Sequence, residues 1–204
     1  MLIEHDGARR VIHPTAYIAP NAVVSGDVEI GPECAVLFGA VVTSDGGPVR
    51  IGRRVTIMEH AVIRGRNRFA AQIGDDCLIG PHAHVNGSRI GNRVFVATGA
   101  SLFPGSVVAE RCVIRINGVV HVNTHLIPDS VVPIGWVAVG NPARIVPAER
   151  QEEISLELGQ SRFPQTMYGV DPEFDQDAEG SLMPAIAERN GLIYGRHRGD
   201  TVVG

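Results

Sequence analysis

Several things are missing from this 204-residue chain, and each absence removes a class of protein. No apolar run approaches the length that spans a bilayer. The Met-Leu-Ile-Glu-His start lacks the charged and apolar regions of a signal peptide, so a cytoplasmic protein is expected. Positive charge is not in excess: a formal net charge of −4 leaves no basic face for nucleic acid. Cysteine is limited to Cys34, Cys77 and Cys112.

What the chain does have is a six-residue beat from Ile12 to about Val120. It falls on Ile12, Ile18, Val24, Ile30, Val36, Val42, Ile51, Ile57, Ile63, Ile73, Ile79, Val85, Ile90, Val96, Leu102, Val108, Ile114 and Val120. Fourteen of the seventeen intervals are six residues. Four residues after most beats sits a small or thin side chain, such as Ala22, Ala40, Ala61, Ala83, Ala100 or Gly118. Helical periodicity would drift out of step within two turns. The pattern predicts an all-β solenoid, a parallel β-helix of hexapeptide repeats with flat strands and small residues in the corners. All three cysteines fall on the small inward position, where a thiol is a compact apolar filler. They are predicted to be buried and unpaired.

Three hexapeptides make one triangular coil, so residues three beats apart stack at roughly 4.8 Å. Six coils are countable, and Leu126, Val132 and Ala138 continue toward a seventh. The unbroken repeat argues for one solenoid domain over 1–147, with a C-terminal helix and extended tail over 148–204. The first eleven residues read as a short strand over the open end. Helical spacing runs from Glu149 to Leu158, with Ile154, Leu156 and Leu158 available for packing. A second short helix is expected near Ser181 to Arg189, weakened by Pro184. The tail from Ser161 is expected to wrap a neighbour or stay partly disordered.

The beat breaks three times. Val42 to Ile51 is long by three residues, Ile63 to Ile73 by four, and Val85 to Ile90 is short by one. These breaks begin three hexapeptides apart, so they disturb one corner, and solenoid insertions often mark a binding face.

Several segments carry a resemblance: the Asp45 insertion, Ile73-Gly74-Asp75-Asp76, Ile90-Gly91-Asn92-Arg93-Val94 and the Gly140-Asn141-Pro142-Ala143 exit. Over residues 10–148 the chain resembles the γ-class carbonic anhydrase-like branch of the hexapeptide-repeat superfamily. The resemblance implies a left-handed coil, against the usual crossover hand, and a homotrimer. It also implies three histidines binding zinc or iron between subunits, two from one subunit and one from its neighbour, to make a hydroxide that attacks carbon dioxide. Carried over residue by residue, those ligand positions hold Arg64, Pro81 and Asn86. Proline offers no side-chain donor and arginine stays protonated. Ordinary carbonic anhydrase activity is therefore expected to be weak or absent.

The neighbourhood still carries chemistry. His60 and His82 occupy one corner column, flanked by Gly39 and Gly99, which suggests a recess. His84 lies two residues further on, and Glu59 sits beside His60. Three readings are open: a shifted divalent-metal site of His60, His82 and His84, a metal-free site with a histidine base, or solvent-exposed corner residues. On either catalytic reading His82 leads as ligand or base, with His84 beside it and Glu59 as acid or proton shuttle. A second column runs Thr43, Arg64, Asn86, Phe103 and His121. Arg64 and Asn86 would hold a small anionic substrate, with Asp45 orienting the arginine.

Three functions follow. The first is a divergent γ-carbonic anhydrase-like enzyme, lyase-like, acting on a small anion at a trimer interface. The second is a hexapeptide-type acyl-CoA-dependent acyltransferase, although the protruding histidine-bearing loop of many such enzymes is missing. The third is a non-catalytic assembly or scaffold protein.

Overall fold

The computed structural model describes residues 1–5, 7–8, 10–66, 68–161, 166, 182–195 and 199–203. The beat becomes a left-handed parallel β-helix with three faces. Two faces are seven-stranded sheets and the third has ten strands. Seven strands of that third face belong to the coils, so the solenoid completes seven coils, one more than the beat alone counts.

Inward residues stack in register: Ile63 lies between Val42 and Val85, Ile79 between Ile57 and Val96, Ile73 between Ile51 and Ile90. From Val24 to Val120 every beat residue is buried, and Ile12 and Ile18 pack against the core at its open end. Burying an aliphatic side chain of this size contributes on the order of 1.5–3 kcal/mol. Cys34, Cys77 and Cys112 are buried and free, and burial raises each thiol pKa.

Strands of two or three residues require sharp corners, and left-handed backbone supplies them. Glu33, Arg54, Asp76, Arg93, Arg111 and Asp129 form one such column, with φ between 52° and 64°. Gly39, His60, His82, Gly99 and Asn117 form another, with φ from 55° to 71°. Glycine, asparagine, aspartate and histidine tolerate this region better than branched residues. His60 and His82 thus hold corner positions whose backbone selects a short list of side chains.

The ends are sealed. Leu2–Glu4 lies parallel to Val23–Ser25 and antiparallel to Thr201–Val202 near the C-terminus. His5 Nδ1 lies 2.6 Å from Asp200 Oδ1 beside this pairing. Sealing an edge removes a template for unwanted strand addition. At the other end Arg144–Pro147 doubles back on Trp136–Val139.

Helix α1, Gln151–Ser161, packs against Trp136–Val139 and is tied down by Arg144 pairing with Glu153 (2.6 Å) and Glu157 (3.4 Å). Ile154 is buried, whereas Leu156 is exposed, because residues two apart face different sides of a helix. Helix α2 runs Leu182–Gly195, longer than its sequence suggested. Pro184 falls in its first turn, where the missing N–H costs little. Expectations for residues 162–165 and 167–181 of the tail lie outside the described residues.

At the irregular corner the two insertions pack on each other. A Cβ on Gly65 would lie 2.6 Å from the Pro48 carbonyl oxygen and closer still to that of Gly47. Both obstacles are backbone and cannot swing aside. Gly65→Ala should therefore lower stability by about 1–3 kcal/mol, as overpacking does, read as a lower urea midpoint. A neutral effect would mean the two loops are not in contact.

Candidate functional site

The strands Val41–Asp45 and Val62–Arg66 run past the corner where other coils turn. They stay in register through Arg64 on Thr43, Gly65 on Ser44 and Arg66 on Asp45. Arg66 and Phe69 then exchange two backbone hydrogen bonds, of 2.9 and 2.8 Å, which close a tight hairpin turn. The shortened coil below turns at Gly87, φ +55°, whose missing Cβ makes room for Phe69. Insertion and deletion are complementary: one coil projects a turn and the next withdraws to seat it.

Outward residues of the ten-stranded face alternate with the inward beat. Arg64 is the rung partner of Asn86, and His84 lies two residues before Asn86 on the same side of the strand. Asn86 is only 1% exposed. Its Oδ1, and Nε of the half-buried Arg64, have no hydrogen-bond partner among the described residues. Buried polar atoms are nearly always satisfied, so an adjoining orphan acceptor and orphan donor are a local departure from the rest of the described structure. His84 is half-buried, with its imidazole pushed below the ordinary 6.5 by burial first, then by the charges of Arg64 and Arg66. It is neutral at pH 7 and free to accept a proton. Further along, the Phe103 and His121 rings stack with centroids 5.2 Å apart, extending the column.

The other candidates are placed differently. His60 and His82 stack with ring centroids 5.2 Å apart and planes within 10°, on an exposed corner. The expected recess is filled from both sides. The His60 ring occupies the space over Gly39, and the Asn117 side chain occupies the space over Gly99. Glu59 is half-buried; its carbonyl accepts the His82 N–H at 3.0 Å. Asp45 is buried opposite Arg66 rather than Arg64, and forms no ion pair with Arg64.

The donor set was tested for a metal. Imidazole lone pairs lie in the ring plane, so nearly parallel stacked rings cannot both aim at one ion at about 2.1 Å. His84 lies beyond the corner on the adjoining strand. Among the described residues no three His, Cys, Asp or Glu side chains gather closely enough to hold an ion. Arg64, Pro81 and Asn86 do not supply the missing ligands. The described side chains of a single chain do not fit a catalytic metal.

No protein-family model matches the chain. Curated relatives do. It is 29% identical over 152 residues to gamma carbonic anhydrase 1, mitochondrial, of Arabidopsis thaliana, covering 72% of this chain and 53% of that protein. It is 27% identical over 154 residues to a carbonic anhydrase of Geobacillus kaustophilus, covering 76% and 81%. The chain is similar to γ-class carbonic anhydrases, and like them it reads as a hexapeptide-repeat protein. A shorter match, 42% identical over 69 residues, is to the uncharacterized transferase YtoA of Bacillus subtilis, covering 34% and 40%. The chain spans about half the length of the first curated relatives it matches.

Grouping His84 with Arg64 and Asn86, instead of with His60 and His82, is what sequence reasoning missed. The signal was present as strand alternation, since residues 84 and 86 share a side while residue 82 is already in the turn.

His84 also sets a pH dependence. Its folded value lies below its unfolded one, so the unfolded chain binds the proton better. The associated stability is fully present above about 6.5 and is lost as pH falls below it. The urea midpoint should therefore drop more between about pH 7.5 and 5.5 in the unaltered protein than in His84→Gln. Equal drops would show that His84 titrates as it does in the unfolded chain.

Proposed function

We propose that the protein is an enzyme-type anion binder whose site forms where the Arg64–Asn86–His84 face meets a neighbouring subunit of a homotrimer. The single observation that carries this reading is the orphan pair: Arg64 Nε needs an acceptor and Asn86 Oδ1 needs a donor. One small molecule satisfies both if it is an anion bearing a hydroxyl, such as hydrogencarbonate or a 2-hydroxycarboxylate. Arg64 takes the charged oxygen, Asn86 accepts from the hydroxyl, and neutral His84 stands beside them as general base. In the proton-transfer step the hydroxyl would turn its hydrogen from Asn86 Oδ1 to the His84 ring nitrogen, which takes the proton, and the Arg64 guanidinium would stabilise the charge left on oxygen.

Flat outer faces suit side-by-side packing, and three-fold closure brings one subunit's corner against another's face. In that arrangement the His82 and Glu59 corner of a neighbour is the natural wall of the site, with His82 as a further proton-transfer group. Assigned this way, the histidine-bearing corner and the Arg64 column become two halves of one site. Carbon dioxide hydration through a metal hydroxide is disfavoured, because the described side chains of one chain supply no convergent ligand set.

A second reading, an acyl-CoA-dependent acyltransferase, is favoured by the likeness to YtoA over 69 residues. Coenzyme A raising the melting temperature, with no effect of hydrogencarbonate, would select it. Neither ligand binding would leave an assembly role.

Calorimetry on the purified protein decides the main reading. Lactate or hydrogencarbonate should bind more tightly than acetate, which lacks the hydroxyl. Asn86→Leu and Arg64→Leu should each weaken that binding at least about tenfold, the cost of one charge-assisted or buried hydrogen bond. Light scattering should give a trimer, and His82→Ala should abolish turnover while leaving the trimer intact. A monomer mass, or stoichiometric zinc or iron in the purified protein, would overturn this account.

A further inference from the structure

We infer that the far side of the same hairpin holds a second anion site, one that takes a dianionic phosphate group. The starting observation is how the arginines are spent. Five arginines of the coils are paired: Arg50 with Asp27 (2.8 Å), Arg53 with Asp75 (3.1 Å), Arg54 with Asp76 (2.6 Å), Arg93 with Glu110 (3.3 Å) and Arg111 with Asp129 (2.6 Å). Arg68 and Arg89 are exposed and have no carboxylate partner among the described residues. Both line one cavity of about 260 Å³, together with Phe69, Val107, Asn123 and His125, and among the described residues no acidic side chain lines it.

The cavity is built by the fold. Arg89, Val107 and His125 are consecutive rung partners, so they make a vertical column with a cation at one end, an imidazole at the other and an apolar floor between. Phe69 forms the wall. It sits where Gly87 and Gly105 lack side chains; a Cβ there would lie 2.6 Å from Phe69 Cβ and 3.2 Å from Phe69 Cε1. The Arg68 guanidinium lies 5.0 Å from the Phe69 ring centroid, a cation–π distance that holds it over the same rim. The backbone amides cannot share the load. Gly87 N–H donates to Arg64 O (2.8 Å), Gly105 N–H to Gly87 O (2.9 Å) and Asn123 N–H to Pro104 O (3.1 Å). An anion in this cavity is held by side chains.

Charge selects the ligand. Two guanidiniums with no counter-charge complement about two negative charges, which a phosphate monoester carries at neutral pH. Guanidinium forks bind phosphate oxygens in pairs, so two arginines on adjoining elements can grip one phosphate group. The Val107 floor and Phe69 ring leave an apolar surface beside it for a short organic body. This site is separate from the Arg64–Asn86 face: the hairpin turn lies between them, and the two groups of side chains do not overlap.

Titration calorimetry of the full chain with inorganic phosphate and with glycerol 3-phosphate, at constant ionic strength, tests the assignment. One ligand should bind per chain. Arg89→Gln and Arg68→Gln should each weaken it at least tenfold, Arg89→Lys should restore part of the loss, and Arg53→Gln should change nothing. Tighter binding of glycerol 3-phosphate would identify a phosphomonoester as the ligand, and equal binding would identify free phosphate. Far-UV circular dichroism should be unchanged, because both arginines are solvent-exposed. The inference is overturned by the absence of saturable binding of either probe. It is equally overturned by binding that survives the double substitution, or that is lost in Arg64→Gln and kept in Arg89→Gln.

Discussion

The vertical register of the inward Ile and Val side chains is the constraint on which everything else rests. Each beat residue sits on the one three hexapeptides earlier, and parallel strand pairing locks that relation for the whole coil. A slip of one residue would turn the entire apolar set outward. Because the slip is so costly, every outward residue inherits a fixed vertical neighbour. That is how Arg64 comes to lie on Asn86, although 22 positions of chain separate them. A column in this fold is a set of distant residues held together by a core they do not touch.

The corners impose a second constraint, and it acts on chemistry as well as shape. Left-handed backbone admits a short list of residues, so polar side chains collect there in ladders. On one corner the ladder is ionic. Arg54 makes two hydrogen bonds to Asp76 (2.6 and 2.8 Å), and Arg111 makes two to Asp129 (2.6 and 2.8 Å). These pairs are solvent-exposed, so they contribute little to stability. Their effect is to cancel charge. The same pressure explains His60 and His82: a residue able to hold positive φ was required at both places, and two imidazoles stacked above one another satisfied the corner.

Much of this was legible in the residues themselves. The strand register, the inward cysteines, the stacked histidines and the Thr43–Arg64–Asn86 column all follow from counting sixes. What could not be read was anything that depends on the irregular coils. The sequence reading has Asp45 orienting Arg64. Three extra residues in one coil and four in the next carry the strands further before the turn, and Asp45 meets Arg66 instead. The supposed recess at Gly39 and Gly99 failed for a different reason. A glycine in a column leaves space that the next residue in the column can fill, and His60 and Asn117 do so. Helical spacing offers Leu156 for packing with Ile154, yet residues two apart face different sides, and Leu156 is exposed.

The two constraints together explain why unmet hydrogen bonding collects at one corner. On a regular coil every outward polar side chain meets a like-placed neighbour above and below, and the ladder satisfies itself. An insertion of three and one of four, followed by a deletion of one, break that self-satisfaction at a single place. The column there mixes unlike side chains, and Arg64 Nε and Asn86 Oδ1 are left without partners among the described residues. The chain contains no lysine, so every cation released from pairing is a planar guanidinium suited to oxyanions. Irregularity in a repeat is thus a way of withholding partners, and what is withheld from the protein becomes available to a ligand.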